Sequence, residues 1–162
     1  MPPKYNYNLS DKKLGDSVEI IVKPIITDFF KDIITKQSEY ACVDFIGNNT
    51  YEVKAVDYNF AVFPYVLVSY KKIQKYYDNL ESTYNNKDLY LVYRFKDESV
   101  YYIKYDKNLF DTFSIQDVKR TNRVYTDKPL YHYMIPLKLL KKIQGPTEKC
   151  LIIFWDSTGL TI

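Results

Sequence analysis

Hydrophobic side chains recur every three to four residues over the first part of the chain. They are Leu14, Val18, Ile21, Ile25, Phe29 and Ile33. This spacing predicts a helix over residues 14–35, with Ser10 or Asp11 as its N-cap. Pro24 has no N–H group to donate, so we expect it to kink this helix or split it in two. Residues 1–8 are polar and are expected to form an arm.

The pattern changes to that of strands in the next part of the chain. Residues 39–46 and 50–58 are rich in β-branched and aromatic residues, and Gly47-Asn48-Asn49 between them tolerates positive φ angles. These features predict a tight β-hairpin centred on Asn48. A second helix is predicted from its N-cap Ser69 to about residue 84.

The rest of the chain alternates between strands and less regular segments. In chain order we predict two strands (residues 89–95 and 100–105), an irregular basic region (106–130), a short amphipathic helix (135–143) and a buried strand (150–155). The sequence contains no internal repeat, linker or low-complexity segment. Residues 1–162 are therefore predicted to form one α/β domain around a mixed sheet.

Composition limits the class of protein. A chain of 162 residues with 46% hydrophobic and 27% charged residues is typical of one globular domain. No apolar stretch is long enough to span a bilayer, and the first residues do not form a signal peptide. We expect an intracellular protein, cytoplasmic or nuclear, or a viral protein inside its host cell. Cys42 and Cys150 are expected to be buried thiols rather than a disulfide.

Several classes of enzyme are disfavoured because histidine and glycine are scarce. His132 is the single histidine, and with two cysteines it cannot complete an ordinary zinc site. A Ser-His-Asp hydrolase would need His132 as its base, whereas a packed or surface histidine is the preferred interpretation. The four glycines are not clustered, which argues against P-loop, kinase and dinucleotide-binding proteins.

The predicted hairpin brings two carboxylates and a lysine together. A turn centred on Asn48 places Asp44 opposite Glu52. Lys54 shares the face of Glu52, because side chains alternate along a strand. Asp44 interrupts an apolar strand, where a carboxylate is costly unless it is paired or binds a cation. Such oxygen ligands suit Mg²⁺ or Mn²⁺, and Lys54 can orient or deprotonate a water molecule. The alternative is a charge cluster on a solvated hairpin.

Basic and aromatic residues provide a second, weaker indication of function. The chain has a net charge of +3, 18 tyrosines and 9 phenylalanines interleaved with basic residues. Such mixtures can bind a phosphate backbone while stacking on bases, although biased composition produces them too. The candidate nucleic-acid contacts are Lys71, Lys72, Lys75, Lys119, Arg120 and Arg123. For each of them a solvated surface position is the alternative.

Asp44 followed by Glu52-Val53-Lys54, in the order helix, hairpin, strand, helix, strand, resembles the core of the PD-(D/E)xK nuclease superfamily. The resemblance covers about residues 14–105, which makes residues 106–162 peripheral. Val43 stands where the motif has its proline. The helix beginning Leu14-Gly15-Asp16-Ser17-Val18-Glu19 resembles the one that often contributes a further acidic residue, here Glu19. Residues 68–76 and 89–93 resemble the helix and strand that follow the active-site lysine in Holliday-junction resolvases.

The resemblance implies a restriction-endonuclease-like α/β fold, with a mixed central β-sheet flanked by helices in α-β-β-β-α-β order. It further implies that Asp44, Glu52 and the backbone carbonyl of Val53 hold Mg²⁺, with Mn²⁺ as a substitute. Glu19 would assist through water, and Lys54 would position the nucleophilic water. The implied protein is a homodimeric DNA endonuclease of restriction, homing, junction-resolving or repair type. Two alternatives stay open: an inactive nuclease-like module for nucleic-acid binding or viral assembly, and an interaction domain with a purely structural hairpin.

Overall fold

The computed structural model describes residues 9–118 and 129–147, with side chains from residue 15 onward. The helices and strands are, in chain order, α1 (Leu9–Phe30), β1 (Thr35–Lys36), β2 (Phe45–Ile46), β3 (Thr50–Ala55), β4 (Tyr65–Ser69), α2 (Tyr70–Asp78), β5 (Leu89–Arg94), β6 (Val100–Lys104), α3 (Lys107–Phe110), β7 (Ile115–Asp117), β8 (Tyr131–Pro136), a 3₁₀ turn (Leu137–Leu139) and β9 (Lys141–Gln144). The predicted arm, the predicted strand at residues 150–155, Cys150 and the basic residues Lys119, Arg120 and Arg123 lie outside the described residues.

The larger sheet is mixed and has the strand order β1-β2-β3-β5-β6-β9. Strands β3 and β5 are parallel neighbours, while the other pairs in this sheet are antiparallel. A parallel pair requires a crossover connection, and β4 with α2 forms it here. Strand β4 leaves the larger sheet and joins a smaller antiparallel sheet of order β4-β8-β7. The predicted mixed α/β architecture with a mixed sheet flanked by helices is confirmed.

Helix α1 covers one face of the larger sheet. Its side chains Val18, Val22 and Ile26 are buried against residues of β3, β5 and β6. The helix runs through Pro24 as one element, so it is not split there. Helix α2 and the smaller sheet pack against the opposite face, around a second core that includes Ile73, Tyr76 and Tyr133. The larger sheet is therefore covered on both faces.

The predicted apolar face of α1 was wrong in its details. Ile33 follows the helix and is 89% exposed, and Ile21 and Phe29 are each 43% exposed. A spacing of three to four residues fits several overlapping faces of a helix, and only contact with the sheet selects one of them. The predicted N-caps Ser10 and Asp11 lie inside α1, which already begins at Leu9.

The C-terminal helix predicted at residues 135–143 was also wrong. Residues up to Pro136 continue β8, the 3₁₀ turn follows, and β9 pairs with β6 at the edge of the larger sheet. The predicted helix contains Pro136, which cannot donate within a helix interior, and cross-strand pairing outweighs the weak helical periodicity here. Part of the region predicted as irregular, residues 106–130, forms α3 and β7.

Two other predictions were confirmed, although α2 ends at Asp78 rather than near residue 84. Ser69 is the N-cap of α2, and its hydroxyl accepts a hydrogen bond from the N–H of Lys72 at 3.3 Å. Cys42 is a buried free thiol. Within residues 9–118 and 129–147, no helix is long and apolar enough to cross a bilayer.

Candidate active site

The hairpin turn is centred on Asn48, as predicted. Phe45 pairs with Tyr51 and Ile46 with Thr50, so the register continues toward Asp44 and Glu52. The N–H of Asp44 donates to the carbonyl of Tyr51 at 2.9 Å, and the carboxylate of Asp44 accepts from the N–H of Val53 at 2.7 Å. These two partners flank Glu52 in the chain. The hydrogen bonds therefore hold Asp44 directly beside Glu52.

The side chain of Asp44 also explains why β2 is shorter than predicted. The register of β2 and β3 would pair Val53 with Val43 if the ladder continued. Instead, the carboxylate of Asp44 accepts the hydrogen bond from the N–H of Val53. The two strands therefore stop pairing at this point, and the chain before Phe45 forms bends. Because the N–H and C=O groups of a strand residue point the same way, the carbonyl of Val53 faces this opening too.

Glu52 is buried and is surrounded by positive charge. Its side chain is 4% exposed, and its Oε1 atom lies 3.0 Å from the Nζ atom of Lys54. The Nζ atom of Lys72 on α2 donates to the same oxygen. The other oxygen, Oε2, is buried and has no hydrogen-bond partner. Glu52 thus has one oxygen shared by two ammonium groups and one unsatisfied oxygen.

The two carboxylates differ in their affinity for protons. Burial, together with the neighbouring charge of Glu52, raises the pKa of Asp44 to about 7, although the hydrogen bond from Val53 opposes the shift. Burial alone would raise the pKa of Glu52, but Lys54 and Lys72 reverse this and hold it below its usual range. At neutral pH the site therefore contains an ionised Glu52 beside a partly protonated Asp44.

Glu19 lies at the edge of this cluster. Its Oε2 atom is 3.1 Å from the Nζ atom of Lys36 on β1, and its charge contributes to the raised pKa of Asp44. The hydrogen bond with Glu19 and its charge raise the pKa of Lys36. The structure thus brings Glu19 close enough to act on Asp44 electrostatically, with Lys36 as its direct partner.

The turn of the hairpin is fixed by Asp32, which follows α1. Its two carboxylate oxygens accept from the N–H groups of Asn48 and Asn49, at 2.8 and 3.1 Å. The hydroxyl of Tyr51 donates to Oδ2 of Asp32 at 2.8 Å. A Cβ atom on Gly47 would lie 2.4 Å from the Oδ1 atom of Asp32, so only glycine fits there. Asp32 therefore anchors the turn whose register brings Asp44 to Glu52.

The candidate nucleic-acid contacts on α2 have different surroundings. Lys75 is exposed, and Lys71 is an exposed residue that borders a cleft beside Lys54. Lys72 instead turns inward to Glu52, with a side chain that is 30% exposed. Its place in the charge cluster was not anticipated. Lys72 is the third residue of α2, and nothing local in the sequence indicates which strand that turn of the helix packs against.

The oxygen atoms at the hairpin suit a hydrated divalent cation. Carboxylates of Asp44 and Glu52 and the carbonyl of Val53 are the hard ligands that Mg²⁺ prefers, and Oε2 of Glu52 lacks any other partner. Within the described residues, no group of three or more His, Cys, Asp or Glu side chains is arranged to hold a metal ion. A cation here would complete its coordination with backbone oxygen and water, as Mg²⁺ commonly does.

We expect Asp44→Asn to remove part of the pH dependence of the free energy of unfolding. The folded pKa of Asp44, about 7, exceeds the ordinary value of 3.8, so the folded wild type binds more protons between these values. Its free energy of unfolding therefore falls as pH rises from about 4 to 7. The variant lacks this titration. As pH rises from about 4 to 7, its free energy of unfolding should therefore increase by on the order of 2 kcal/mol relative to that of the wild type. Urea denaturation in EDTA at several pH values measures the difference, and parallel curves would contradict it.

No protein-family model matches this chain, and no curated protein sequence matches it either.

Proposed function

We propose that this protein is a Mg²⁺-dependent DNA endonuclease of the PD-(D/E)xK type, with a restriction-endonuclease-like core. One observation carries the proposal: Asp44, Glu52 and Lys54 converge at the point where the two strands of the hairpin separate. Carboxylates pointing apart, or Lys54 on the opposite face of the sheet, would have argued against it. Instead, the Nζ atom of Lys54 lies 3.0 Å from Glu52.

Asp44, Glu52 and the carbonyl of Val53 would hold the ion, with Mn²⁺ able to replace Mg²⁺. When bound, the ion supplies electrostatic stabilisation of the charge that develops on the phosphate and the leaving oxygen. Glu19 is close enough to Asp44 to affect its pKa and would act through water rather than as a direct ligand. The unsatisfied Oε2 atom of Glu52 supports this assignment, because a buried carboxylate oxygen without a partner is costly.

Lys54 would position the attacking water molecule and stabilise the negative charge that develops on the phosphate during in-line attack. Its ammonium group is held by Glu52 and its side chain is 34% exposed, so it can contact both the buried carboxylate and a bound phosphate. A preorganised cation at the reacting phosphate accelerates such reactions because it needs no reorganisation during the step. The substrate would be DNA, and cutting both strands would require a second copy of this small core.

One observation favours a second candidate function. The ammonium groups of Lys72 and Lys54 both contact Oε1 of Glu52, so side chains of the protein itself can neutralise this carboxylate. A nuclease-like fold that uses internal lysines in place of a metal would be an inactive module for nucleic-acid binding or viral assembly. The two candidates differ in a measurable property, because only the nuclease requires that a metal ion reach Glu52.

Cleavage of plasmid and branched DNA by the wild-type protein tests the main proposal. We expect cutting in the presence of Mg²⁺ or Mn²⁺ and none in EDTA. The pattern of products would then distinguish restriction, homing, junction-resolving and repair enzymes. Intact DNA under all conditions, with folded protein that binds DNA, would favour the inactive module.

Lys72→Met should strengthen metal binding if the nuclease proposal is correct. The ammonium group of Lys72 contacts Oε1 of Glu52, so its positive charge opposes the binding of a metal ion to the same carboxylate. Removing a partly exposed competing charge should lower the Kd for Mn²⁺ by about fivefold to tenfold. Isothermal titration calorimetry measures this directly. Lys75→Met, an exposed position one turn later on the same helix, should leave the Kd unchanged. An unchanged Kd for Lys72→Met would instead support the inactive module.

A further inference from the structure

A cleft opens beside Lys54, between the start of α2 and the start of β8. Its volume is about 360 Å³. Residues that line it include Lys54, Ser69, Tyr70, Lys71, Tyr131 and His132. Ser69 pairs with His132 in the smaller sheet, so the two walls of the cleft are joined by the sheet itself. The cleft therefore shares Lys54 with the candidate active site and is built on regular secondary structure.

The charge of the cleft favours an anionic ligand. Lys54 and Lys71 contribute two ammonium groups, and none of the described residues lining the cleft is acidic. Lys71 is exposed, so its ammonium group is accessible from solvent. Lys54 is paired with the buried Glu52 but its side chain is 34% exposed, and together with the exposed Lys71 it suits the phosphate groups of a nucleic-acid strand.

Aromatic side chains supply the other half of a nucleotide-binding surface. Tyr131 is 50% exposed, which leaves much of its side chain open to a ligand. The ring of Tyr70 packs against Tyr133 with 5.2 Å between ring centroids, so its orientation is fixed. His132 donates from Nδ1 to the carbonyl of Leu130 at 2.9 Å, which holds the imidazole in place. Exposed aromatic rings beside cations are the usual platform for stacking on unpaired bases.

The size of the cleft limits its ligand. A volume of about 360 Å³ lies at the lower end of the range of small-molecule sites, roughly 300–1,000 Å³. It is large enough for one nucleotide and too small for a base-paired duplex. A nucleotide that enters it must therefore be unpaired, either in a single strand or turned out of a duplex.

We propose that this cleft binds one unpaired nucleotide of the DNA strand, with its phosphate on Lys54 and Lys71 and its base against Tyr131. The inference rests on the proposed function, because Lys54 would contact this nucleotide and the phosphate that is cut. It narrows the substrate to DNA with an unpaired nucleotide beside the cleavage position, such as a branch, flap or single strand.

Binding without metal ions tests this inference separately from catalysis. We suggest fluorescence anisotropy in EDTA with a labelled oligothymidylate, a fully abasic strand of the same length, a blunt duplex and thymidine monophosphate as a competitor. The wild type should bind the oligothymidylate at least about fivefold more tightly than the abasic strand, because stacking on one aromatic ring contributes this much or more. A blunt duplex should bind more weakly than the single strand. Thymidine monophosphate at low concentration should not displace the strand, because it offers a single phosphate.

Matched variants identify the cleft as the source of the preference. Tyr131→Ala should remove the preference for the oligothymidylate over the abasic strand, and Tyr131→Phe, which keeps the ring, should retain it. Lys71→Ala should weaken binding of both strands and reduce the salt dependence by about one phosphate contact. Lys75→Ala, one turn along α2 and outside the cleft, should affect binding less than Lys71→Ala.

Equal affinity for the two strands, or an unchanged preference in Tyr131→Ala, would overturn the inference. So would an absence of DNA binding at low salt. Displacement by thymidine monophosphate would show a site for free nucleotides instead. The nuclease proposal is tested separately. If the wild type shows the predicted base preference but never cuts DNA, the nucleotide-binding cleft is supported and the nuclease proposal is contradicted. If the wild type cuts duplex DNA as fast as Tyr131→Ala does and shows no base preference, the nuclease proposal is supported and the nucleotide-binding cleft is contradicted.

Discussion

If the proposed nuclease is correct, Glu52→Gln should lower the rate of metal-dependent DNA cleavage by about a thousandfold or more, because it would remove a proposed metal ligand and the charge that orients Lys54. The substitution keeps the size of the side chain and takes away its negative charge. The proposed metal site would depend on that charge, and the Nζ atom of Lys54 lies 3.0 Å from Oε1 of Glu52. Single-turnover cleavage of a labelled DNA substrate with Mg²⁺ measures the rate.

Lys54→Met should also lower the rate of metal-dependent DNA cleavage, but for a different reason. The methionine keeps the length of the side chain but cannot orient water or stabilise phosphate charge. Metal binding should persist in this variant, because Asp44 and Glu52 are intact, whereas Glu52→Gln should lose it. Mn²⁺ titration therefore separates the role of the ligand from that of the lysine.

Glu98→Gln is the matched control for Glu52→Gln. Glu98 has a side chain that is 40% exposed, pairs with Arg94 at 3.6 Å and lies on the turn between β5 and β6. The same chemical change there should leave cleavage near the wild-type rate. Thermal unfolding of both variants checks that each is folded. Cleavage by folded Glu52→Gln at close to the Glu98→Gln rate would exclude Glu52 from the mechanism and with it the proposed enzyme.

The sequence predicted the parts of this site that depend on neighbours in the chain. Gly47-Asn48-Asn49 predicted the turn, and a turn centred on Asn48 is sufficient to bring Asp44 beside Glu52. The alternation of a strand is sufficient to put Lys54 on the face of Glu52. The strands predicted at residues 89–95 and 100–105 end within one residue of the ends of β5 and β6, because a strand pattern also depends on neighbours in the chain.

The parts that depend on distant contacts could not be predicted in this way. Lys72 reaches Glu52 only because α2 belongs to the crossover between two parallel strands, β3 and β5. The side of α1 that is buried, with Val22 and Ile26, is selected by the sheet beneath it. Strand β9 is stabilised by pairing with β6, a partner far away in sequence. Local periodicity carries no information on such pairings.

Asp32 is the clearest case of a residue that only the fold identifies. It follows α1 in the sequence as an ordinary acidic residue. In the structure it is 2% exposed and binds the hairpin turn through the N–H groups of Asn48 and Asn49. Burial alone would raise the pKa of Asp32, but these hydrogen bonds, the hydroxyl of Tyr51 and the charge of Lys87 hold it below its usual range. The turn that brings Asp44 beside Glu52 is therefore held by a carboxylate that lies outside the cluster of Asp44, Glu52 and Lys54.

Asp32→Asn should lower the free energy of unfolding by about 3 kcal/mol at pH 7, because it weakens several hydrogen bonds to a buried charge, each of which contributes about 1.5–3 kcal/mol. The amide presents an NH₂ group where one carboxylate oxygen now accepts. Because the folded pKa lies below the ordinary value of 3.8, the stabilisation by Asp32 is present above that pH and is lost as pH falls below it. Urea denaturation at pH 7 and pH 3 should show a large difference from wild type at the first pH and a smaller one at the second.

Asp28→Asn provides the control for Asp32→Asn and links stability to the site. Asp28 has a side chain that is 89% exposed and pairs with Lys31 at 3.3 Å, so its substitution should change stability by about 0.5 kcal/mol or less. If Asp32 also fixes the register of the hairpin, Asp32→Asn should weaken Mn²⁺ binding under conditions where the protein is still folded, and Asp28→Asn should not. Equal stability of the two variants would mean that the turn holds its conformation without Asp32. The backbone hydrogen bonds around Gly47 would then be sufficient to bring Asp44 to Glu52.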